Sequence, residues 1–424
     1  MPGRRTRYLV LPITAIALLL AVCGRAFAWT DPVGVSPFEG TGGIFGAGID
    51  STGRATVAWL AGGGPAGHPS RIQARVRRPD GSLGFVRTVG NGSALPFAAF
   101  AMDAGGSSYF IWCDSDGTDD RLYYRRISPA GALGPRTPMS PLGGDAEDPR
   151  IAVNASGQAI VGWTLRVRNP SGPGYFRFVQ VRSVGSNGLP GPRQTIDPSE
   201  QSALSDVAID PSGDATVIWD RKAGLAAIQR TSGGMLGPVI PVDDGSRNAH
   251  VAVDSGGSAT LVYERGDDLS ARQLSSVGSL GPRLRVGTLA VGGISHGDFT
   301  FGLDGAGTAL IVWTRGFESV PRDRTLSPSG TLGSVQLLSD SIGRAPSLGM
   351  NSSGDSVIAW HEDVLGTLRQ HVWVVQRAAD GDLGPAQVIS DTERVQDPLV
   401  ALNDGGQAIA AWEGRTRIEV SAGP

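Results

Sequence analysis

One ten-residue phrase constrains the fold more than any other feature of the chain. Its clearest copy is Asp210-Pro211-Ser212-Gly213-Asp214-Ala215-Thr216-Val217-Ile218-Trp219, and copies start at Asp50, Asp103, Asn154, Asp210, Asp254, Asp304, Asn351 and Asn403, 44 to 56 residues apart. Every copy has glycine three residues after its start, alanine or serine five after, and a large aromatic nine after. That aromatic is Trp59, Trp112, Trp163, Trp219, Tyr263, Trp313, Trp360 or Trp412, so seven of the nine tryptophans occupy one repeat position. Asp or Asn at the first corner of a type I turn accepts hydrogen bonds from the backbone ahead, and glycine at the fourth position supplies a positive φ. After the turn, Ala215, Val217 and Trp219 alternate with Thr216 and Ile218. Both faces are largely apolar, which predicts a strand covered on both sides.

After each aromatic comes a variable polar stretch and then a second strand, as at 71–76, 121–127, 176–181 and 371–376. A Gly-x-Leu-Gly turn follows at 81–84, 131–134, 234–237, 278–281, 330–333 and 381–384, with a variant at 187–191. A short strand ending near Ser140, Asp197 or Ser390, and a further strand into the next phrase, complete four strands per unit. No amphipathic helix of ordinary length appears. Repeated four-stranded units of this length resemble the blades of a β-propeller. The phrase is similar to TolB- and sialidase-type bladed repeats, although Asp and Gly stand three apart here and the aromatic six later, unlike the S-x-D-x-G-x-x-W box. The resemblance covers residues 29–424 and implies an all-β propeller domain of eight four-stranded blades. The last unit stops after its third strand, and Val33-Gly34-Val35-Ser36-Pro37 resembles the fourth-strand segment Thr137-Pro138-Met139-Ser140-Pro141. The N-terminal strand is therefore expected to complete the last blade and remove its exposed edge.

Residues 1–28 read as a secretory signal. Arg4, Arg5 and Arg7 precede an apolar run from Tyr8 to Val22, and Ala26-Phe27-Ala28 predicts cleavage before Trp29. The mature chain, expected to be secreted or periplasmic, keeps one cysteine, Cys113, so it forms no internal disulfide. A net charge of −3 offers no electrostatic case for nucleic acid or an anionic membrane surface. No membrane span is expected, and the chain is expected to be a monomer.

The repeated tryptophans fit packing between blades better than sugar platforms, because they recur beside Ala and Val on one strand face. Function is expected where the copies diverge, in the stretches after the aromatics. The candidate ligand-binding residues there are Asp220, Arg221, Glu264, Arg315, Arg322, His361, Glu362, Glu413 and Arg415. Asp114, Asp116, Asp119 and Asp120 are the candidate calcium ligands, since closely spaced carboxylates supply the oxygens calcium needs, although a third alternating aspartate is missing. The five histidines show no zinc-like spacing, and no catalytic set or other cofactor emerges. These features read as a secreted, non-catalytic propeller that binds a carbohydrate, a cell-envelope component or a protein through its loop face. A glycoside hydrolase or lyase, or a structural module of an envelope complex, are the alternatives.

Overall fold

The computed structural model describes residues 28–37, 41–62, 70–92, 98–199, 201–289, 298–316, 320–363, 369–391 and 394–424. Apart from Ala28, the expected signal segment lies outside them. The described residues form eight four-stranded antiparallel sheets and no α-helix. Seven sheets take their strands in chain order: 41–92 (blade 1), 98–138 (blade 2), 145–197 (blade 3), 203–243 (blade 4), 246–288 (blade 5), 299–337 (blade 6) and 343–388 (blade 7). Blade 8 combines Gln396–Leu402, Ala408–Glu413 and Ile418–Gly423 with Val33–Gly34 from the other end of the chain. The first strand of each blade contacts those of both neighbours, blade 8 meeting blade 1, so these strands are innermost in a closed ring. The chain is an eight-bladed β-propeller.

The closure follows the sequence expectation closely. Val33 pairs with Val420 and Gly34 with Glu419. Val35 N donates to Ile418 O at 2.8 Å, and Ser36 Oγ accepts from Ile418 N at 2.7 Å. Blade 2 repeats this pattern, with Met139 N donating to Leu122 O and Ser140 Oγ accepting from Leu122 N. The resemblance of 33–37 to 137–141 is thus a resemblance of bonding.

Each phrase forms the turn from the inner to the second strand. In all eight copies the first side chain accepts from the backbone N–H four residues on, as Asp210 Oδ1 does from Asp214 at 2.9 Å. The turn glycine lies at φ +79° to +93° throughout, where a Cβ would strain the backbone. Eight buried apolar clusters each bridge two consecutive blades, and each contains the phrase aromatic of the later blade. Blades make room for it: a Cβ at Gly287 of blade 5 would stand 2.6 Å from Trp313 of blade 6.

A second repeated device escaped the sequence reading. Arg75, Arg125, Arg182, Arg272 and Arg324 each donate through Nε to the carbonyl nine residues on, the last glycine of the unit's leucine-glycine turn. Each also donates through Nη1 to a carbonyl of the preceding blade's outer strand, at Val35, Val89, Pro138, Val242 or Val286. One planar guanidinium therefore ties a turn to the neighbouring sheet, a geometry lysine cannot reproduce.

Candidate functional site

Antiparallel order sends the phrase turns and the leucine-glycine turns to one face of the ring. The segments after the aromatics, and the crossings between blades, share the other. That second face is where the expected ligand residues lie.

Four of them, Asp220, Glu264, His361 and Glu413, occupy the same position directly after the aromatic, and they point away from it. This position fastens inner strands. Cys113 Sγ donates to Ala146 O of the next blade at 3.0 Å, Thr164 Oγ1 accepts from Leu204 N at 2.9 Å, and Glu413 Oε1 accepts from Ile44 N at 2.9 Å. Glu264 is buried and holds Arg247 Nε and Asn248 Nδ2, each at 2.9 Å, on its own inner strand. Asp220 Oδ2 accepts from Ser205 Oγ at 3.1 Å, whereas its buried Oδ1 has no donor among the described residues.

Burial raises the Asp220 carboxyl above its ordinary value, and the Ser205 hydrogen bond offsets this only in part. A carboxyl whose folded pKa is raised disfavours the native state once it ionises. Asp220→Asn is therefore expected to raise the melting temperature at pH 7 by about 1–3 °C. The difference should fade through about pH 4 and vanish below about pH 3, where the carboxyl is protonated folded and unfolded. Melting curves across that range test it, and a lower melting temperature at pH 7 would contradict it.

Arg315 and Arg322 come together on blade 6. Burial, and then the positive charge of Arg315, lowers the Arg322 guanidinium from its ordinary value. Arg415 is exposed in the turn that follows Glu413. Arg221 ends the second strand of blade 4 opposite Gly224. Glu362 faces the seam, not the mouth: its Oε1 accepts from Ser339 Oγ at 2.9 Å and from Trp360 Nε1 at 3.4 Å.

The candidate calcium ligands each have a partner. Asp114 Oδ2 meets Arg136 Nη2 at 2.6 Å, Asp116 Oδ1 caps its own turn through Thr118 and Asp119 N, and Asp119 Oδ2 accepts from Gly143 N. Asp120 N donates to Asp145 Oδ1 at 3.0 Å. Among the described residues no three His, Cys, Asp or Glu side chains are grouped to hold a metal ion.

The mouth has members the sequence reading missed. The inner strands of blades 3, 5, 7 and 8 carry a β-bulge opposite the phrase aromatic, and each bulge holds a non-glycine residue at positive φ: Asp148, Asn248, Ala345 and Asp397, at +45° to +49°. Proline follows in three of the four, as Pro149, Pro346 and Pro398, and this was a local signal available in the sequence. Asn248 and Asp397 are exposed, Asp148 half-buried. Beside them His361 is buried, with no partner at Nδ1. Burial lowers its pKa, opposed by the charges of Asp397 and Asp363. Arg344 pairs with Asp363 at 3.1 Å, and His250 Nδ1 stands 3.4 Å from Asp206 Oδ2 on the preceding blade. His250 also meets Phe299 of blade 6 edge-on, with ring centroids 5.3 Å apart.

No protein-family model and no curated protein matches the sequence. Among solved structures, the chain is similar to a Hadza microbial sialidase at 13% identity, covering 69% of this chain and 71% of that one, with a TM-score of 0.45. It is similar to virginiamycin B lyase from Staphylococcus aureus at 10% identity, covering 94% and 99%, TM-score 0.42. It is also similar to a puromycin-hydrolyzing peptidase of Mycobacterium tuberculosis at 12% identity, covering 91% of this chain and 60% of that one, TM-score 0.49. The propeller assignment rests on the strand order itself. No helix among the described residues is long and apolar enough to cross a membrane.

Proposed function

We propose that this is an exported, non-catalytic propeller that binds a polyhydroxylated ligand, a glycan of the cell envelope, across the mouth on the face after the aromatics. The observation that carries this reading is the set of four inner-strand bulges. A left-handed backbone at a non-glycine residue is uncommon and costs energy, and such strain clusters where side chains are aimed at a ligand. Here it recurs at one level of four blades on one face, and it presents Asp148, Asn248 and Asp397 beside Arg247. Carboxylate, amide and guanidinium groups match the donors and acceptors of sugar hydroxyls. Arg315 and Arg322 add a paired positive charge on blade 6 suited to an acidic glycan.

Purified residues 29–424 should be retained saturably on a cell-envelope glycan fraction, and Arg315→Ala with Arg322→Ala should lower that retention by roughly tenfold. Unchanged retention in the double variant would overturn the reading. One observation favours a second reading. Burial raises the Glu413 carboxyl, the hydrogen bond from Ile44 N offsets this in part, and the charge of Asp397 adds to the rise, an upward direction that suits a proton donor. A glycoside hydrolase or lyase would show turnover across a glycoside panel, lost in Glu413→Gln.

A further inference from the structure

On the face opposite the mouth, the seam between blades 4 and 5 opens into a cleft of about 450 Å³. The seventh position of the phrase contributes to it. In blade 2 that residue is Tyr109, whose hydroxyl donates to Asp103 Oδ2 at 2.9 Å and lies 3.1 Å from Gly157 O across the seam. In blade 4 the same position is Thr216, which lines the cleft and is too short to cross it. Blade 1 carries Thr56 there, and it lines a smaller cleft of about 120 Å³ against blade 2. Threonine thus leaves a gap where tyrosine fills the seam of blades 2 and 3, although tyrosine is not the sole determinant: a cleft of about 250 Å³ at the seam of blades 8 and 1 carries Ile409 at this position.

Without the tyrosine hydroxyl, Asp210 keeps an unused acceptor. The residue is 6% exposed, and its Oδ1 takes the Asp214 N–H at 2.9 Å. Its Oδ2 accepts no hydrogen bond among the described residues, and it lies 3.2 Å from where a Cβ on Gly257, across the cleft, would stand. Asp214 also lines the cleft; its Oδ1 accepts from Ser232 N at 2.7 Å, and its Oδ2 accepts no hydrogen bond among the described residues. One buried cation, Arg230, also lines the cleft within reach of the Asp214 charge, but its hydrogen bonds run to other groups: Nε donates to Gln194 Oε1 at 2.6 Å, Nη1 to Thr231 O at 3.1 Å, and Nη2 to Ser183 Oγ at 3.5 Å. The apolar lining includes Val253, Met235 and Val277, the last two 72% and 89% exposed.

We infer that this cleft binds an organic ammonium ion on a short aliphatic chain, the ammonium on the free oxygens of Asp210 and Asp214 and the chain along Met235 and Val277. An ammonium donates three hydrogen bonds and accepts none, so it complements two free carboxylate oxygens, while the aliphatic part covers exposed apolar surface. The cleft volume falls within the ordinary range for small-molecule sites. The site stands on the other face from the glycan mouth and is independent of it.

Calorimetric titration with n-hexylammonium tests the inference, with 1-hexanol and hexanoate as matched neutral and anionic probes. The ammonium should bind saturably and the other two at least roughly tenfold more weakly. Asp210→Asn should weaken binding by roughly tenfold. Asparagine begins the phrase in three other copies, Asn154, Asn351 and Asn403, so the turn tolerates it. Thr216→Tyr should abolish binding by filling the cleft as Tyr109 does. Absence of saturable binding to the unaltered protein, equal binding of 1-hexanol, or full affinity in Asp210→Asn would each overturn the proposal.

Discussion

Replacing Trp219 by alanine is expected to cost about 3–5 kcal/mol of stability, the usual range for emptying a large buried aromatic site. The side chain is fully buried and packs blade 4 against Ile160, Val179, Val181 and Ile196 of blade 3. It also carries a polar partner: Nε1 donates to Asp197 Oδ2 at 2.7 Å, where Ser202 Oγ donates too, at 2.8 Å. Burial alone would raise the Asp197 carboxyl, but the hydrogen bonds from Ser199, Ser202 and Trp219 outweigh it and hold the pKa below the ordinary value. A depressed carboxylate stabilises the fold above its unfolded pKa, and that contribution is lost as pH falls through the folded pKa. Trp219→Phe should therefore cost an additional hydrogen-bond increment of about 1 kcal/mol at pH 7 that fades toward acid pH. Trp163 provides the control, since its Nε1 has no partner among the described residues, so Trp163→Phe loses packing alone. Urea unfolding at pH 7 and at acid pH separates the two. Equal costs at 163 and 219 under both conditions would refute the role given to Asp197.

Val35→Asp is expected to be at least as damaging, at about 4–5 kcal/mol, because it deletes packing and buries an unpaired charge. Val35 is fully buried between blades 8 and 1, in the cluster that holds Trp59, Ile409 and Val420. Its position also fixes the closing strand: if residues 33–36 leave, Ile418–Gly423 becomes an unpaired sheet edge. Light scattering of the variant should show species larger than the intact protein. A variant that melts like the unaltered chain and scatters like it would mean that the closing strand contributes little to the ring.

Much of this architecture is legible in the sequence. Blade number, the turn glycine, the seam aromatic and the three-plus-one closure all follow from residues within a single repeat, or from comparing one repeat with the next. The bridging arginines recur in five units, but they stand among many other arginines in a chain with a single lysine, Lys222, and so did not stand out. The four bulges were harder to see. Asp148-Pro149 and Asp397-Pro398 look like ordinary turn dipeptides, and only their pairing opposite Trp163 and Trp412 turns them into left-handed kinks at the mouth.

Site residues were the least legible, for a reason visible in Asp220, Glu264, His361 and Glu413. A polar residue beyond the repeated aromatic looks like a loop residue in the sequence, yet it still belongs to the strand, which turns Asp220, Glu264 and Glu413 onto inner strands. The repeat phrase determines the blade because its turn, strand and aromatic interact within ten residues or across one seam of fixed geometry. Which polar groups share the mouth, and which seam opens into a cleft, depends on side chains far apart in the chain meeting across blades. Only the closed ring decides that, since ring closure sets the distance between them.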